Sequence, residues 1–138
     1  MLNKTRTKRK LTRKEQRDLD IEIGFMEGVV RRDPGCADAW MALSEDYVRR
    51  SRPDQALKAV EILARIQPND PAVLYNLACS YSLAKQIEPS LAAISKAISN
   101  GFSDFKWLLK DPDLGNLRKH PHFKKVWRKI STVPSDLA

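Results

Sequence analysis

The chain has 138 residues and 15.8 kDa, enough for one domain with a modest hydrophobic core and too little for a multidomain machine. Hydrophobic residues make up 42% and charged residues 30%, a mixture too apolar for a wholly disordered chain and too polar for one embedded in a membrane. The net charge of +8 sits at the ends: residues 1–17 carry eight cations against Glu15 alone, residues 18–117 are net −4, and residues 118–138 are net +5. Charge concentrated in this way permits docking of either terminus to nucleic acid, anionic lipid or an acidic protein, and does not choose among them.

Residues 1–11 read as a flexible basic arm, because Lys4, Arg6, Lys8, Arg9 and Lys10 repel one another and few apolar groups offset the entropy of ordering. A first helix is predicted over roughly 13–32. Thr12 and Glu15 have capping-box spacing, and Leu19, Ile23, Met26 and Val30 recur every three or four positions, with Phe25 and Val29 broadening the stripe. Asp33-Pro34-Gly35 supplies the stop.

A second helix is expected over 37–50 with Trp40, Leu43 and Tyr47 on one stripe, and a third from Pro53 through Ala56, Val60 and Leu63 to the Pro68-Asn69-Asp70 turn. The pattern then returns. Leu74, Leu77, Ala78 and Tyr81 mark a helix from Pro71, and Leu91, Ile94, Ala97 and Ile98 mark its partner, which stops at Asn100-Gly101. Segments 37–70 and 71–104 are both 34 residues long. One helix hairpin leaves an apolar face open, and a neighbouring hairpin covers it. Ala56 and Ala78 permit close helix approach, while Ser90 takes the place corresponding to Ala56.

Beyond Gly101 the period is lost. Short helices are predicted near 104–109 and 114–117, broken by Asp111-Pro112-Asp113, and a final helix runs from Pro121 through Phe123, Val126, Trp127 and Ile130. The aromatic and aliphatic side chains from Phe105 to Trp127 are expected to cover the end of the hairpin stack rather than form an external patch.

Two repeats of this length, with Trp40, Leu43, Tyr47, Ala56, Val60 and Pro68 in one and Leu74, Ala78, Tyr81, Ser90, Ile94 and Phe102 in the next, resemble the tetratricopeptide repeat family. The resemblance implies an all-α, antiparallel helix-hairpin stack, a short right-handed α-solenoid. Its parts are an arm at 1–11, a helical domain at 12–130 and a tail at 131–138. Within the domain a partial repeat at 12–36 precedes repeats at 37–70 and 71–104 and a helical cap at 105–130.

Members of the family bind peptides or partner proteins on a concave surface made by their first helices, and the resemblance implies the same for this chain. The expected groove residues are Met41, Glu45, Val48 and Arg49 in one repeat and Tyr75, Asn76, Cys79 and Leu83 in the next. Some members grip a terminal carboxylate with basic and asparagine side chains. Asn76, Lys106 and Lys110 match that arrangement by spacing, whereas Met41 and Glu45 break it. Self-association through an uncovered repeat face is a further expectation.

Other chemistries find less support in the residues. His120 and His122 flank Pro121, Glu45 and Asp46 are adjacent, and neither a glycine-rich phosphate loop nor a nucleophile triad is present, so no enzymatic activity, cofactor or metal is expected. Cys36 and Cys79 lack CxxC spacing and read as unpaired structural residues. No apolar run approaches the roughly 20 residues that cross a bilayer, and no apolar segment with a cleavage site follows the basic start, so a cytoplasmic protein is expected. The alternative to a peptide-binding adaptor is a nucleic-acid-associated protein that uses the arm together with Arg118, Lys119, Lys124, Lys125, Arg128 and Lys129.

Overall fold

A computed structural model describes residues 10–131, with side chains to Arg128; the expected arm, as far as Arg9, and the expected tail from Thr132 lie outside the described residues, as does the side chain of Lys129. Among the described residues there are eight α-helices, one 3-10 turn and no strand. The architecture is all-α and built of antiparallel, tetratricopeptide-like helix hairpins. The chain divides at Pro68 into two compact units.

In the first unit, α1 (Arg13–Arg32) starts at a capping box, with the Glu15 amide donating to Thr12 Oγ1 and the Thr12 amide donating to Glu15 Oε1, both at 3.1 Å. These bonds satisfy two of the amides that every helix start leaves open. Leu19 and Ile23 are buried, and Met26 and Val30 pack on the same cluster as Ile23. Phe25 does not join the stripe: it is 66% exposed, because it lies half a helical turn away from Ile23.

Helices α2 (Ala37–Arg49) and α3 (Pro53–Ile66) form the unit's hairpin. Leu43, Tyr47, Ala56 and Ala59 pack in one cluster with Ile23. Ala56 is 1% exposed, as the close approach of two helices at a small residue requires. The Trp40 indole donates to the Pro34 carbonyl at 2.8 Å, and Arg50 reaches back to α1, where Nε donates to Asp20 Oδ1 at 2.8 Å. That bond holds the Asp20 carboxyl below its usual range.

The second unit opens with the hairpin of α4 (Pro71–Leu83) and α5 (Ile87–Ser99). Asp70 caps α4 by accepting from the Ala72 and Val73 amides at 2.9 and 3.3 Å. Ala78, Ile94 and Ala97 are fully buried, and the Ser90 hydroxyl donates to the Ala78 carbonyl at 2.7 Å, so the serine at this crossing has a partner inside the interface. Then follow α6 (Phe105–Leu108), a 3-10 turn (Pro112–Leu114), α7 (Gly115–Arg118) and α8 (Pro121–Ser131). Leu108, Leu114, Leu117 and Phe123 share one cluster with Ala78 and Ile94, and Trp107, Val126 and Trp127 pack against it. Ser82 ties α7 to α4, since its carbonyl accepts from Asn116 Nδ2 at 3.0 Å and its hydroxyl accepts from the Leu117 amide at 3.2 Å.

Candidate functional site

The two first helices of the hairpins, α2 and α4, present very different faces. Along α2, Leu43, Ser44, Asp46 and Tyr47 are buried, while Met41 and Glu45 are half-buried and Arg49 is exposed. Spacing of four places Met41, Glu45 and Arg49 in one row. Val48, expected in the same group, packs partly against the Ile23 and Leu43 cluster instead.

Along α4 the expected surface is interior. Tyr75, Asn76 and Cys79 are 2%, 1% and 2% exposed, which differs from the groove-facing placement expected for them. The cause is the segment after Gly101. The Tyr75 ring stacks on Phe102 at 4.4 Å between centroids, and its hydroxyl donates to Asp111 Oδ2 at 2.6 Å, with Cys79 Sγ 3.7 Å from the same oxygen. Burial, with the neighbouring Cys79 and Asp111 groups, holds the Tyr75 phenol far above its usual range. Leu83 is half-buried, and Lys106 and Lys110 are exposed. A carboxylate-gripping row of Asn76, Lys106 and Lys110 is thus not what the surface offers, because its amide member is covered.

Asp111, which sequence reasoning treated only as a helix break, organises this end of the unit. Its side chain accepts from Tyr75 and from the Asp113 amide, and its carbonyl accepts from Arg118 Nη1 at 2.6 Å. The same guanidinium nitrogen donates to the Leu108 carbonyl at 2.9 Å. Arg118 is therefore a strut and differs from the solvent-facing cation expected there, whereas Lys119, Lys124, Lys125 and Arg128 are exposed. An aspartate ahead of a proline, the N-cap arrangement at Asp111-Pro112, was the available signal.

Two groups bring metal-ligand side chains within 4.8 Å of one another: Glu88, His120 and His122 at the surface, and Cys79, Asp111 and Asp113 in the interior. In the first, His122 Nδ1 meets the Glu88 carboxylate and His120 Nδ1 accepts from the His122 amide at 3.2 Å. In the second, the Asp111 oxygens take the Tyr75 hydroxyl and the Asp113 amide. Protein hydrogen bonds account for both arrangements. Cys36 and Cys79 are free thiols.

In the first unit, buried Asp46 is 5% exposed and its Oδ2 has no hydrogen-bond partner. Burial, followed by the Glu22 carboxylate, pushes its carboxyl up to about 8, with Arg49 pulling the other way and Glu45 adding to the rise. Tyr47 donates to Glu27 Oε2 at 2.5 Å, and burial together with that carboxylate raises the phenol to about 12.

No family model matches the chain. It is 34% identical over 87 residues to a chloroplastic protein of Arabidopsis thaliana, a match covering 61% of this chain and 26% of that protein. It is also 30% identical over 101 residues to the PEX5-related protein of Mus musculus, covering 73% of this chain and 18% of the relative, and 30% identical over 100 residues to its human counterpart, covering 72% and 16%. The chain therefore spans about a quarter or less of the length of these relatives. The likeness is distant and partial, and it falls on a chain whose helices pair as tetratricopeptide-like hairpins.

Proposed function

We propose that this chain is a divergent tetratricopeptide-type adaptor, without catalytic activity, that binds a peptide or protein segment on the exposed sides of its hairpins. The observation that carries the reading is the row Met41, Glu45 and Arg49 on α2, which joins an apolar anchor, an acceptor and a cation at one-turn spacing on a helix whose opposite side is spent on packing. Such a row suits a segment with an apolar residue beside a carboxylate, which Arg49 would take through its forked donors. Leu83, Lys106 and Lys110 are the corresponding accessible groups of the second unit. The partial likeness to PEX5-related proteins supports a scaffold role in general terms. A cytoplasmic location belongs to the same proposal; among the described residues no helix is long and apolar enough to cross a membrane.

The test is capture of partners by the full chain, by Met41→Ala/Arg49→Ala and by Lys106→Ala/Lys110→Ala, each with and without nuclease and with helicity checked by circular dichroism. Proteins that persist after nuclease and disappear with the α2 variant support the adaptor. Capture that ignores both variants and vanishes with nuclease favours the second reading, phosphate binding by the exposed Lys119, Lys124 and Lys125. Tyr75 and Asn76 are unsuitable probes, because their substitution would report on the core.

A further inference from the structure

Helix α1 has a second apolar face. Ile21 and Phe25 are 71% and 66% exposed, the highest values among the large hydrophobic residues described. They stand on the side of the helix away from buried Leu19 and Ile23, beside a shallow depression lined by Gly24, Phe25, Gly28, Val29, Arg31 and Arg32. A Cβ placed on Gly24 would meet nothing within 4 Å, and one on Gly28 would meet only the Arg31 side chain. No described residue of the first unit covers this face.

The order of charges along the face says what fits it. Asp18 lies seven positions before Phe25 and Arg32 seven after it; Ile21 and Val29 lie four to either side. Turned end for end about Phe25, the face sets Asp18 against Arg32 and Ile21 against Val29. A parallel copy would instead set Asp18 against Asp18 and Arg32 against Arg32. We infer that α1 is an isologous interface, on which a second copy of this chain lays its own α1 antiparallel, with Phe25 at the twofold axis and Asp18 opposite Arg32 of the other copy.

Twofold symmetry makes each contact occur twice, so one charge reversal removes two ion pairs. A single helix face is smaller than the roughly 800 Å² per partner of a standard stable complex, and the dimer is accordingly expected to form in the micromolar range. The inference is independent of the adaptor reading, since its readout is mass and needs no partner protein.

Sedimentation equilibrium of the full chain across a concentration series tests it, with Phe25→Glu, Asp18→Arg, Arg32→Asp and the Asp18→Arg/Arg32→Asp double variant, each checked for native helicity. The wild type is expected to pass from monomer to dimer, Phe25→Glu to stay monomeric, and each single reversal to weaken association at least about tenfold, equivalent to about 1.4 kcal/mol. The double variant regains most of the lost affinity. A wild type that remains monomeric throughout overturns the inference and leaves the face to a different protein; so does a dimer indifferent to Phe25→Glu, or a double variant no better than its parents.

Discussion

Ser51 and Lys85, 34 positions apart, adopt the same left-handed backbone, with φ of 61° and 60°. Each stands just past the end of a first helix and closes it identically. The Ser51 and Arg52 amides donate to the Val48 and Tyr47 carbonyls, and the Lys85 and Gln86 amides donate to those of Ser82 and Tyr81. Gly101 ends α5 the same way, at φ 109°, with its amide on Ile98 and that of Phe102 on Ala97. These are three Schellman closures, of which only the last uses the residue that suits a left-handed position.

A side chain in that conformation costs roughly 1–2 kcal/mol, partly offset by the extra entropy glycine loses on folding. Ser51→Gly and Lys85→Gly are therefore expected to stabilise the protein by up to about 1 kcal/mol each, read as a rise in thermal midpoint. Gly101→Ala should do the reverse. A Cβ there would meet nothing within 4 Å, so its cost is that of the backbone alone. Unchanged midpoints for all three would contradict the account.

The same three turns show what was legible beforehand. Asn100-Gly101 marks its helix end in the sequence, and the α5 boundary is read directly from it. Nothing in Ser51 or Lys85 announces a left-handed residue; only the repeat, applied as geometry, shows that the two turns must match. The hairpins were legible because helix periodicity and a 34-residue spacing are local or regular signals. The candidate surface was less so. Whether Tyr75 faces a partner or the interior is decided by Phe102 and Asp111, the latter 36 residues away, in a segment where the repeat has lapsed. Phe25 reads in the sequence as part of the packing stripe and Ile21 is not singled out, because they sit two positions from Ile23 and Leu19 and the apolar residues of two opposite faces interleave along the chain.

Asp46 makes the stability of the first unit depend on pH in an unusual direction. Its folded carboxyl titrates at about 8 against an ordinary 3.8, because burial and then Glu22 penalise the charge. A raised folded value favours the protonated form in the folded state, so the group's contribution is greatest below 3.8, falls as pH rises, and is lost above about 8. Thermal unfolding should accordingly show a gain in midpoint on acidifying from about pH 8 to about pH 5 that Asp46→Asn does not show. The asparagine should also be more stable than the wild type at about pH 8, because the neutral amide carries no charge to bury beside Glu22. A wild type that loses stability over this interval while Asp46→Asn follows it would exclude the arrangement.

Tyr75→Phe is expected to keep the stack on Phe102 and to strip Asp111 Oδ2 of its hydroxyl partner, leaving Cys79 Sγ at 3.7 Å. A buried acceptor left short of a donor costs about 1–3 kcal/mol. Ser90→Ala is the milder change, since it leaves only the Ala78 carbonyl short of the second bond it accepts, and should cost about 0.5–1.5 kcal/mol. Chemical denaturation separates the two, and equal midpoints would show that the Tyr75 hydroxyl is not the tie between α4 and the 3-10 turn.

Arg118 and Lys124 divide the cations of the second unit by their work. Arg118 is half-buried with Nη1 bridging the Leu108 and Asp111 carbonyls, whereas Lys124 and Lys125 lie on the solvent side of α8. Arg118→Ala should lower stability by about 1.5–3 kcal/mol, the range for hydrogen bonds to a charged group, and Lys124→Ala/Lys125→Ala should leave it within about 0.5 kcal/mol of wild type. Binding to a short duplex DNA at several salt concentrations completes the comparison. If the exposed lysines neutralise phosphates, their removal flattens the dependence of affinity on salt by about one unit of slope for each phosphate no longer neutralised. A slope that survives their removal assigns any such binding to other cations.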